Sequence, residues 1–267
     1  MRDNGGLMRL GDMSNSVPAA DRTVAETAYR HLRGDLIAGR FKPGARLRMN
    51  ELQACYGLGL SPLREALLRL ASEGFVISEG QRGFSVTPVS LGELKDLTSM
   101  RQRIEAMALT DAIANGDADW EAAIMAAYHR LAREPLPTDS RDTEATLGWE
   151  LKHRAFHDAL VAACGSPWLL RLRTQLADHS ERYLGARLFD RRPGSAALPP
   201  RRRAADEHGA LMQAVLAHDT AKALSLMDQH IGRTAQAAGQ WLQAPPAPSA
   251  PARKRVASHR PRAHATN

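Results

Sequence analysis

The stretch Gly57-Leu-Gly-Leu-Ser-Pro-Leu-Arg-Glu-Ala-Leu-Leu-Arg-Leu-Ala-Ser-Glu-Gly74 decides the fold of the N-terminal part of the chain. Its apolar residues recur at helical spacing and form one apolar face, which consists of Leu63, Ala66, Leu67 and Leu70. Ser61 is expected to cap this helix, and Pro62 suits the first helical position because it lacks an N–H group. Gly74 is expected to end the helix. The segment therefore predicts an amphipathic helix with one face on a core.

Arg64 lies in the first turn of this predicted helix, where the helix dipole disfavours a cation. A cation in this place is better explained if it faces an external anion, such as a DNA phosphate, or the edge of a guanine. The alternative is an ordinary core helix that carries a solvated arginine. The neighbouring elements favour the DNA-binding interpretation.

A short helix before this segment and a β-hairpin after it complete a DNA-binding unit. Residues 50–56 predict the short helix, with Asn50 as its cap, and the turn that follows gives a helix-turn-helix. Residues 75–77 and 84–86 are strand-like and flank a turn-rich tip at residues 79–83. This hairpin predicts a wing.

Residues 22–88 resemble the winged helix-turn-helix of the GntR family of bacterial transcription regulators. The motifs that carry the resemblance are Leu36-Ile-Ala-Gly-Arg-Phe-Lys-Pro-Gly44, Leu63-Arg-Glu-Ala-Leu67 and Gly83-Phe-Ser-Val86. Many relatives have an arginine between small hydroxyl residues where this chain has Gly59-Leu60-Ser61, so the family's usual operator sequence is not expected here. The Gly-Leu-Ser-Pro-Leu-Arg-Glu variant, together with Gln81-Arg-Gly-Phe84, is similar to the CsiR-like subgroup of carbon-starvation regulators.

The resemblance implies that both helices of the motif and the wing contact double-stranded DNA. The residues expected to do so are Arg48, Asn50, Ser61, Pro62, Arg64, Gln81, Arg82 and Gly83. A homodimer would place two recognition helices in successive major grooves of a pseudo-palindromic operator.

The charge composition of the chain fits double-stranded DNA as a partner. The net charge of +7 and a pI near 9.9 suit a polyanion. Cys55 and Cys164 lie far apart in helical patterns, so we expect reduced, buried thiols in a cytoplasmic, nucleoid-associated protein. Because no apolar run approaches the ~18 residues of a membrane helix and no signal-peptide core is present, no membrane partner is expected.

From Leu91 onward the apolar pattern is helical and predicts an antiparallel bundle of six helices. The predicted helices are 91–115, 117–134, 144–164, 167–189, 201–217 and 219–241. The fold class is therefore mainly α, with a winged helix-turn-helix and its small β wing followed by an all-α bundle. The expected units are a disordered arm (1–21), a DNA-binding domain (22–88), a ligand-binding and dimerisation domain (89–242) and a disordered basic tail (243–267). This tail either attracts DNA nonspecifically or only keeps the chain soluble.

Four histidines fall on the apolar faces of three predicted bundle helices. His153 and His157 are four residues apart and share one face, whereas His208 and His230 continue the apolar stripes of two later helices. A single histidine of this kind is more often a satisfied core residue, but each of four would need its own buried partner. One shared divalent transition metal satisfies them together, and we expect zinc, with nickel or manganese as alternatives.

The same part of the chain resembles the FCD ligand-binding domain that follows FadR-type GntR helix-turn-helix units. The motifs that carry the resemblance are Phe156-His157, Ala163-Cys-Gly-Ser166, Glu207-His208 and His230. Six helices suggest the VanR-like branch. In metal-binding members an Asp lies four residues before the Phe-His histidine, where this chain has His153. Because four imidazoles bring no negative charge, a bound ion would keep its full charge and attract a small carboxylate effector.

Arg101 lies in the predicted apolar seam of residues 91–115, where a buried guanidinium needs an anion. That anion is either Glu105, one turn further on, or a ligand carboxylate, and the family's Arg-x-x-x-Glu pattern fits both residues. His179 and Tyr183, on the fourth bundle helix, either wall the effector pocket or pack in the core.

Three functions are open from the sequence. We favour a ligand-responsive repressor over a DNA-binding regulator whose bundle only dimerises. The third is a metal-dependent hydrolase, since His153-Arg-Ala-Phe-His157 has the histidine spacing of a zinc-peptidase helix. In that motif Arg154 occupies the place of the glutamate that would act as general base, which disfavours the hydrolase.

Overall fold

The computed structural model describes residues 23–135, 143–188 and 201–244. In chain order the elements are α1 (Val24–Ile37), β1 (Arg46–Leu47), α2 (Met49–Tyr56), α3 (Leu60–Ser72), β2 (Val76–Ser78), β3 (Phe84–Val86), α4 (Leu91–Asn115), α5 (Ala118–Arg133), α6 (Thr143–Val161), α7 (Pro167–Leu188), α8 (Arg201–Leu216) and α9 (Thr220–Gln243). None of the helices in these ranges is both long and apolar enough to cross a membrane. The predicted arm at 1–21 and nearly all of the tail at 243–267 fall outside the described residues.

Residues 23–88 form a winged helix-turn-helix, here called the head. Its three strands form an antiparallel sheet in the order β1-β3-β2, with Leu47 opposite Phe84 and Val76 opposite Val86. Phe84 and Val86 are buried and the intervening Ser85 is not, as the two-residue period of a strand requires. The sheet and α1–α3 share one apolar core. The predicted fold of this part is confirmed.

The helix α3 buries its predicted apolar face completely: Leu63, Ala66, Leu67 and Leu70 are at most 1% exposed. It ends in a Schellman motif. Gly74 adopts the left-handed φ of +81°, its N–H donates to Ala71 O at 3.1 Å, and the Phe75 N–H donates to Leu70 O at 3.0 Å. The predicted stop at Gly74 is confirmed.

The predicted N-terminal caps of α2 and α3 are wrong. Asn50 lies inside α2, whose cap is the extended residue Arg48, and α3 begins at Leu60 behind Gly59. Both helices therefore start earlier than predicted, and Ser61 lies inside the first turn instead of capping it. Neither cap position forms a side-chain hydrogen bond.

The remaining helices, α4–α9, form the predicted six-helix bundle around a second apolar core. Ser90 caps α4, because its Oγ accepts from the Glu93 N–H at 3.1 Å. Asp117 and Asp219 cap α5 and α9 in the same way. The fold is mainly α with a small wing.

The helix α7 carries most of the contact between the bundle and the head. A Cβ added at Gly185 would lie 2.4 Å from Ile37 O. The backbone of α7 therefore lies so close to the end of α1 that position 185 has no room for a side chain. Arg33 of α1 forms an ion pair with Asp178, which is fully buried. Arg182 Nη1 donates to Thr87 O at 3.0 Å. The head is therefore packed directly on the bundle.

One cysteine prediction is wrong. Cys164 is buried, but Cys55 is exposed, and both are free thiols. The helix α2 buries only Leu52, so most of its surface faces solvent.

Candidate DNA-binding surface and metal centre

The helix α3 presents Arg64 and Ser61 to solvent, while Pro62 beside them is partly covered. No ion pair to Arg64 occurs within the residues that the structure describes. Arg69, five residues further on in the same helix, is held in place instead. Its guanidinium lies 3.6 Å from the centre of the Tyr29 ring, and its Nη1 is 2.7 Å from an oxygen of Glu26. Arg64 is thus the α3 arginine that is available to an external partner.

The wing adds exposed cations beside α3. Arg82 lies in a one-turn 3-10 helix at its tip, followed by Gly83 at φ +91°. Arg46 Nη2 donates to Arg82 O at 3.0 Å and so braces the tip. Arg46 was not predicted from the sequence, although the alternation of Arg46, Leu47 and Arg48 as exposed, buried and exposed residues marks both arginines as outward.

The remaining predicted DNA contacts lie on the same module. Arg48 is exposed and its Nη1 is 3.1 Å from Glu51 Oε1. Asn50 is exposed on the first turn of α2. The backbone of Gln81 lies in the wing turn, but its side chain is outside what the structure describes.

Within the bundle, the four predicted histidines come together. One ring nitrogen from each of His153, His157, His208 and His230 lies within 4.8 Å of all the others. The Nε2 atoms of His153 and His157 are 3.1 Å apart, close to the separation of about 3.3 Å that two imidazoles of one tetrahedral zinc ion adopt. Trp149 stacks on the His153 ring at 4.7 Å. The cluster joins α6, α8 and α9.

Two carboxylates flank this cluster from outside. Glu150 Oε2 lies 3.8 Å from His153 Nδ1, and Glu207 Oε2 lies 3.6 Å from His230 Nδ1. Metal-binding histidines commonly direct their second nitrogen at a carboxylate, which fixes the ring and leaves the other nitrogen for the ion. These two roles were not predicted from the sequence, although each glutamate lies close in sequence to a predicted ligand.

The electrostatics of the cluster favour neutral imidazoles. Burial lowers the pKa of His153 well below its ordinary value, and His208, His230 and Arg101 lower it further. Burial likewise lowers the pKa of His157, with further lowering by the other three histidines and Arg101. Neutral imidazole is the form that binds a metal. The donor set present here therefore suits a divalent transition metal.

Arg101 is close enough to the histidines to act on their pKa values. Its side chain is 13% exposed, and its Nε lies 3.7 Å from Glu105 Oε1 without hydrogen-bonding any described residue. Glu105 is fully buried, and its second oxygen accepts from Arg173 Nε at 2.9 Å. The anion partner of Arg101 is thus shared with Arg173, which sequence analysis missed.

The sequence left two places open for His179 and Tyr183, the wall of the effector pocket and the core, and the structure places both away from the histidine cluster. His179 Nε2 donates to Glu73 O at 2.9 Å, and its ring stacks on Phe75 at 4.4 Å, both in the head. The Tyr183 hydroxyl donates to Glu93 Oε2 at 2.5 Å at the start of α4. His179 therefore contacts the head, whereas Tyr183 packs inside the bundle with Leu94 and Ala238.

The protein has a winged helix-turn-helix that is packed on a helical bundle, and the second helix of the motif carries an arginine available to DNA. These features are typical of DNA-binding transcription regulators. Comparison with known proteins agrees. Residues 24–86 match the bacterial regulatory proteins of the gntR family, and residues 96–233 match the FCD domain. The chain belongs to the GntR family and carries an FCD domain.

Named relatives are transcription regulators. The HTH-type transcriptional repressor GlaR of Escherichia coli (strain K12) is 40% identical over 203 residues, which are 76% of this chain and 90% of GlaR. The uncharacterized HTH-type transcriptional regulator BphR of Paraburkholderia xenovorans (strain LB400) is 36% identical over 228 residues, 85% of this chain and 90% of BphR. The solved structure of E. coli McbR/YncC, 22% identical, has the same fold with a TM-score of 0.68 and covers 83% of this chain and 100% of its own. The matching families and these relatives are transcription regulators and not enzymes.

Proposed function

We propose that this regulator is a repressor that binds a pseudo-palindromic operator as a homodimer and responds to a small carboxylate bound beside a metal in the bundle. Residues 22–88 would be the DNA-binding unit, and residues 89–242 the ligand-binding and dimerisation unit. The observation that carries the proposal is the four-histidine cluster, because it places a ligand-binding chemistry inside a bundle packed on the head.

The metal would be held by His153, His157, His208 and His230, with zinc expected and nickel or manganese as alternatives. When bound, the ion supplies a positive charge that four neutral imidazoles leave uncompensated. Arg101, whose Nε makes no hydrogen bond to a described residue, would add a second anchor for the carboxylate. Four imidazoles fill the tetrahedral shell of zinc, so effector binding requires either a fifth ligand on zinc or an ion that prefers more ligands.

Operator binding would use Arg64 and Ser61 of α3, Arg82 and Gly83 of the wing, and the exposed Arg48 and Asn50 of α2. Arg64 on α3 would contribute most to recognition of the operator sequence, because a guanidinium pairs with guanine in the major groove. The wing arginine lies in a turn and would act mainly on the phosphate backbone.

Communication between the two sites would run through α6 and α7. His153 and Arg154 are consecutive on α6: the first lies in the cluster, and the second forms an ion pair with Asp178. Asp178 also binds Arg33 of the head. A shift of α6 on effector binding would therefore disturb the ion pairs that hold the head. By linkage, this changes operator affinity only if the effector binds the two arrangements with different affinity.

The test uses protein purified without an affinity tag. An operator is selected from random DNA, and its affinity is measured at fixed salt with metal-loaded and metal-stripped protein against a panel of small mono- and dicarboxylates. We expect at least one carboxylate to change the affinity of the loaded protein, and His208→Ala to bind the operator without this response. DNA binding that ignores every carboxylate tested would favour a bundle that only dimerises.

A further inference from the structure

The helix α4 carries a stripe of exposed apolar side chains on the side that faces away from the bundle core. Met100 is 40% exposed, Met107 is 56% exposed, and Ala114 is also exposed. Because these residues are seven apart, the stripe runs along the helix axis, as it does where one helix packs lengthwise on another. Methionine is common at such contact surfaces, since its flexible side chain adapts to the partner. The stripe is therefore suited to contact with another helix.

Two opposite charges lie symmetrically about the centre of this stripe. Arg103 is four residues before Met107, and Asp111 is four residues after it. At 1.5 Å per residue, each charge is about 6 Å along the axis from Met107. Both side chains are exposed, and neither forms an ion pair with another residue in the described part of the chain. Both charges are thus available to an external partner.

This symmetry matches a second copy of the same helix that packs antiparallel to the first. Around a two-fold axis at Met107, Arg103 of each copy lies level with Asp111 of the other, and Met100 lies level with Ala114. Parallel packing would instead place Arg103 opposite Arg103, and like charges repel. The charges therefore select the antiparallel orientation. A two-fold axis is also the symmetry that a pseudo-palindromic operator requires.

The helix α7 adds exposed apolar area beside the centre of the stripe. Arg173 Nε donates to Glu105 Oε2 at 2.9 Å, and further along α7 the Tyr183 hydroxyl hydrogen-bonds the start of α4. The two helices are therefore antiparallel neighbours. Trp168 and Leu172, which are 70% and 46% exposed, lie level with the centre of the stripe. A stable interface buries about 1,200–2,000 Å² in total, so area beyond the stripe itself is needed.

We propose that this stripe, consisting of Met100, Arg103, Met107, Asp111 and Ala114, is the dimerisation surface, on which a second copy of the chain packs its α4 antiparallel around Met107. The inference rests on the proposed function for the homodimer itself. It adds the surface, the orientation of the two helices and their register.

Reversal of the two charges tests the register. Arg103→Glu and Asp111→Arg each turn both pairs between the copies of a homodimer from attraction to repulsion. In an equal mixture of the two variants, a heterodimer has two pairs of opposite charge: the substituted residues face each other, and native Asp111 faces native Arg103. Rescue of this kind cannot come from chains that fail to fold.

The dimer dissociation constant of the full-length protein is measured by sedimentation equilibrium. It should rise at least about thirtyfold in each single variant, because two exposed pairs each lose an attraction and gain a repulsion. The mixture should form heterodimers with nearly the affinity of the wild type. Met107→Glu, which places two like charges on the axis, should also weaken the dimer.

Lys95→Glu is the matched control, because it reverses an exposed charge of the same helix outside the stripe. It should dimerise as the wild type does. Circular dichroism and metal content are measured for every variant, so that a misfolded chain is recognised.

The outcomes separate this inference from the proposed function. Dimers that both charge reversals leave unchanged would overturn the surface, while the homodimer would stand. Weakened single variants whose mixture stays monomeric would overturn the antiparallel register. A wild type that stays monomeric, alone and on operator DNA, would overturn the homodimer and this surface together.

Discussion

Replacing Gly185 with Ala tests the contact that holds the head on the bundle. The added methyl carbon would lie 2.4 Å from Ile37 O and 2.6 Å from Ala38 C, both backbone atoms that cannot rotate away. Nonbonded atoms need roughly 3.5 Å, so the segment at the end of α1 must retreat by roughly 1 Å. We expect the head to leave its docked position.

The magnitude follows from two opposing effects. Overpacking of this kind costs about 1–3 kcal/mol. Ala also favours helix over Gly by about 1 kcal/mol, but this gain is present whether or not the head is docked. It stabilises α7 and does not offset the clash. The ratio of docked to undocked head should therefore fall by about 5- to 160-fold.

The chain carries a natural pair of probes for this measurement. All of its tryptophans lie in the bundle part of the chain, at Trp120, Trp149, Trp168 and Trp241. The head has the exposed thiol Cys55, while Cys164 is buried. A fluorescent acceptor on Cys55 therefore reports the distance from bundle to head by energy transfer from tryptophan. Transfer should fall in Gly185→Ala.

Gly34→Ala is the matched control, because a Cβ there meets nothing within 4 Å on the head's own α1. It should stabilise α1 and leave energy transfer unchanged. If Gly185→Ala gives the same transfer as Gly34→Ala and the wild type, the glycine contact does not position the head, and the reasoning is refuted.

Three further predictions concern the DNA surface and the metal centre. Arg64→Ala should weaken operator binding by about 1–3 kcal/mol in a gel-shift titration at fixed salt without lowering the head's unfolding temperature, and unchanged affinity removes Arg64 from the binding surface. Arg82→Ala should act mainly by reducing, by about one, the slope with which the logarithm of operator affinity falls with the logarithm of salt concentration. Arg101→Ala should retain the metal and lose affinity for the carboxylate. If mass spectrometry shows that this variant has lost the metal, Arg101 does not act only as the carboxylate anchor. Because burial lowers the pKa of His153 and His157, the unfolded chain binds more protons below about pH 6.5. The free energy of unfolding of the metal-stripped bundle should fall as pH falls below this value, and above it these groups should have no effect. An equal free energy of unfolding in urea at about pH 5 and pH 7 would contradict this expected pH dependence.

Much of the fold was predictable because it depends on local rules. The apolar face of α3 follows from helical periodicity, and Ser90 and Gly74 mark helix ends through the hydrogen bonds that they form. The histidine cluster was predictable for the same reason. His153 and His157 share a helix face, and a buried imidazole requires a partner.

The contacts between head and bundle were not predictable in this way. Arg33 and Asp178 are 145 residues apart in sequence, and either would be equally acceptable as a solvated surface charge. Periodicity locates apolar faces, and it does not choose which charges pair across them. This is also why the sequence left the place of His179 open between pocket and core: its ring stacks on Phe75 of the head, which only the packing of the two units determines.

The wrong caps have a local cause. Asn50 and Ser61 are good capping residues, but the extended backbones of Arg48 and Gly59 begin the two helices one or two residues earlier. The consequence is favourable for the proposed function, since the Ser61 side chain is not used as a cap and lies exposed beside Arg64.

The central claim, that His153, His157, His208 and His230 hold one metal ion, is tested most directly by metal stoichiometry. Untagged wild-type protein and its four single His→Ala variants are analysed by native mass spectrometry after equilibration with zinc and with nickel. We expect one ion per chain in the wild type, reduced occupancy in every variant, and a lower unfolding temperature wherever occupancy falls, because the ion binds only the folded arrangement. Full occupancy in all four variants, or a wild type that binds neither metal, would contradict it.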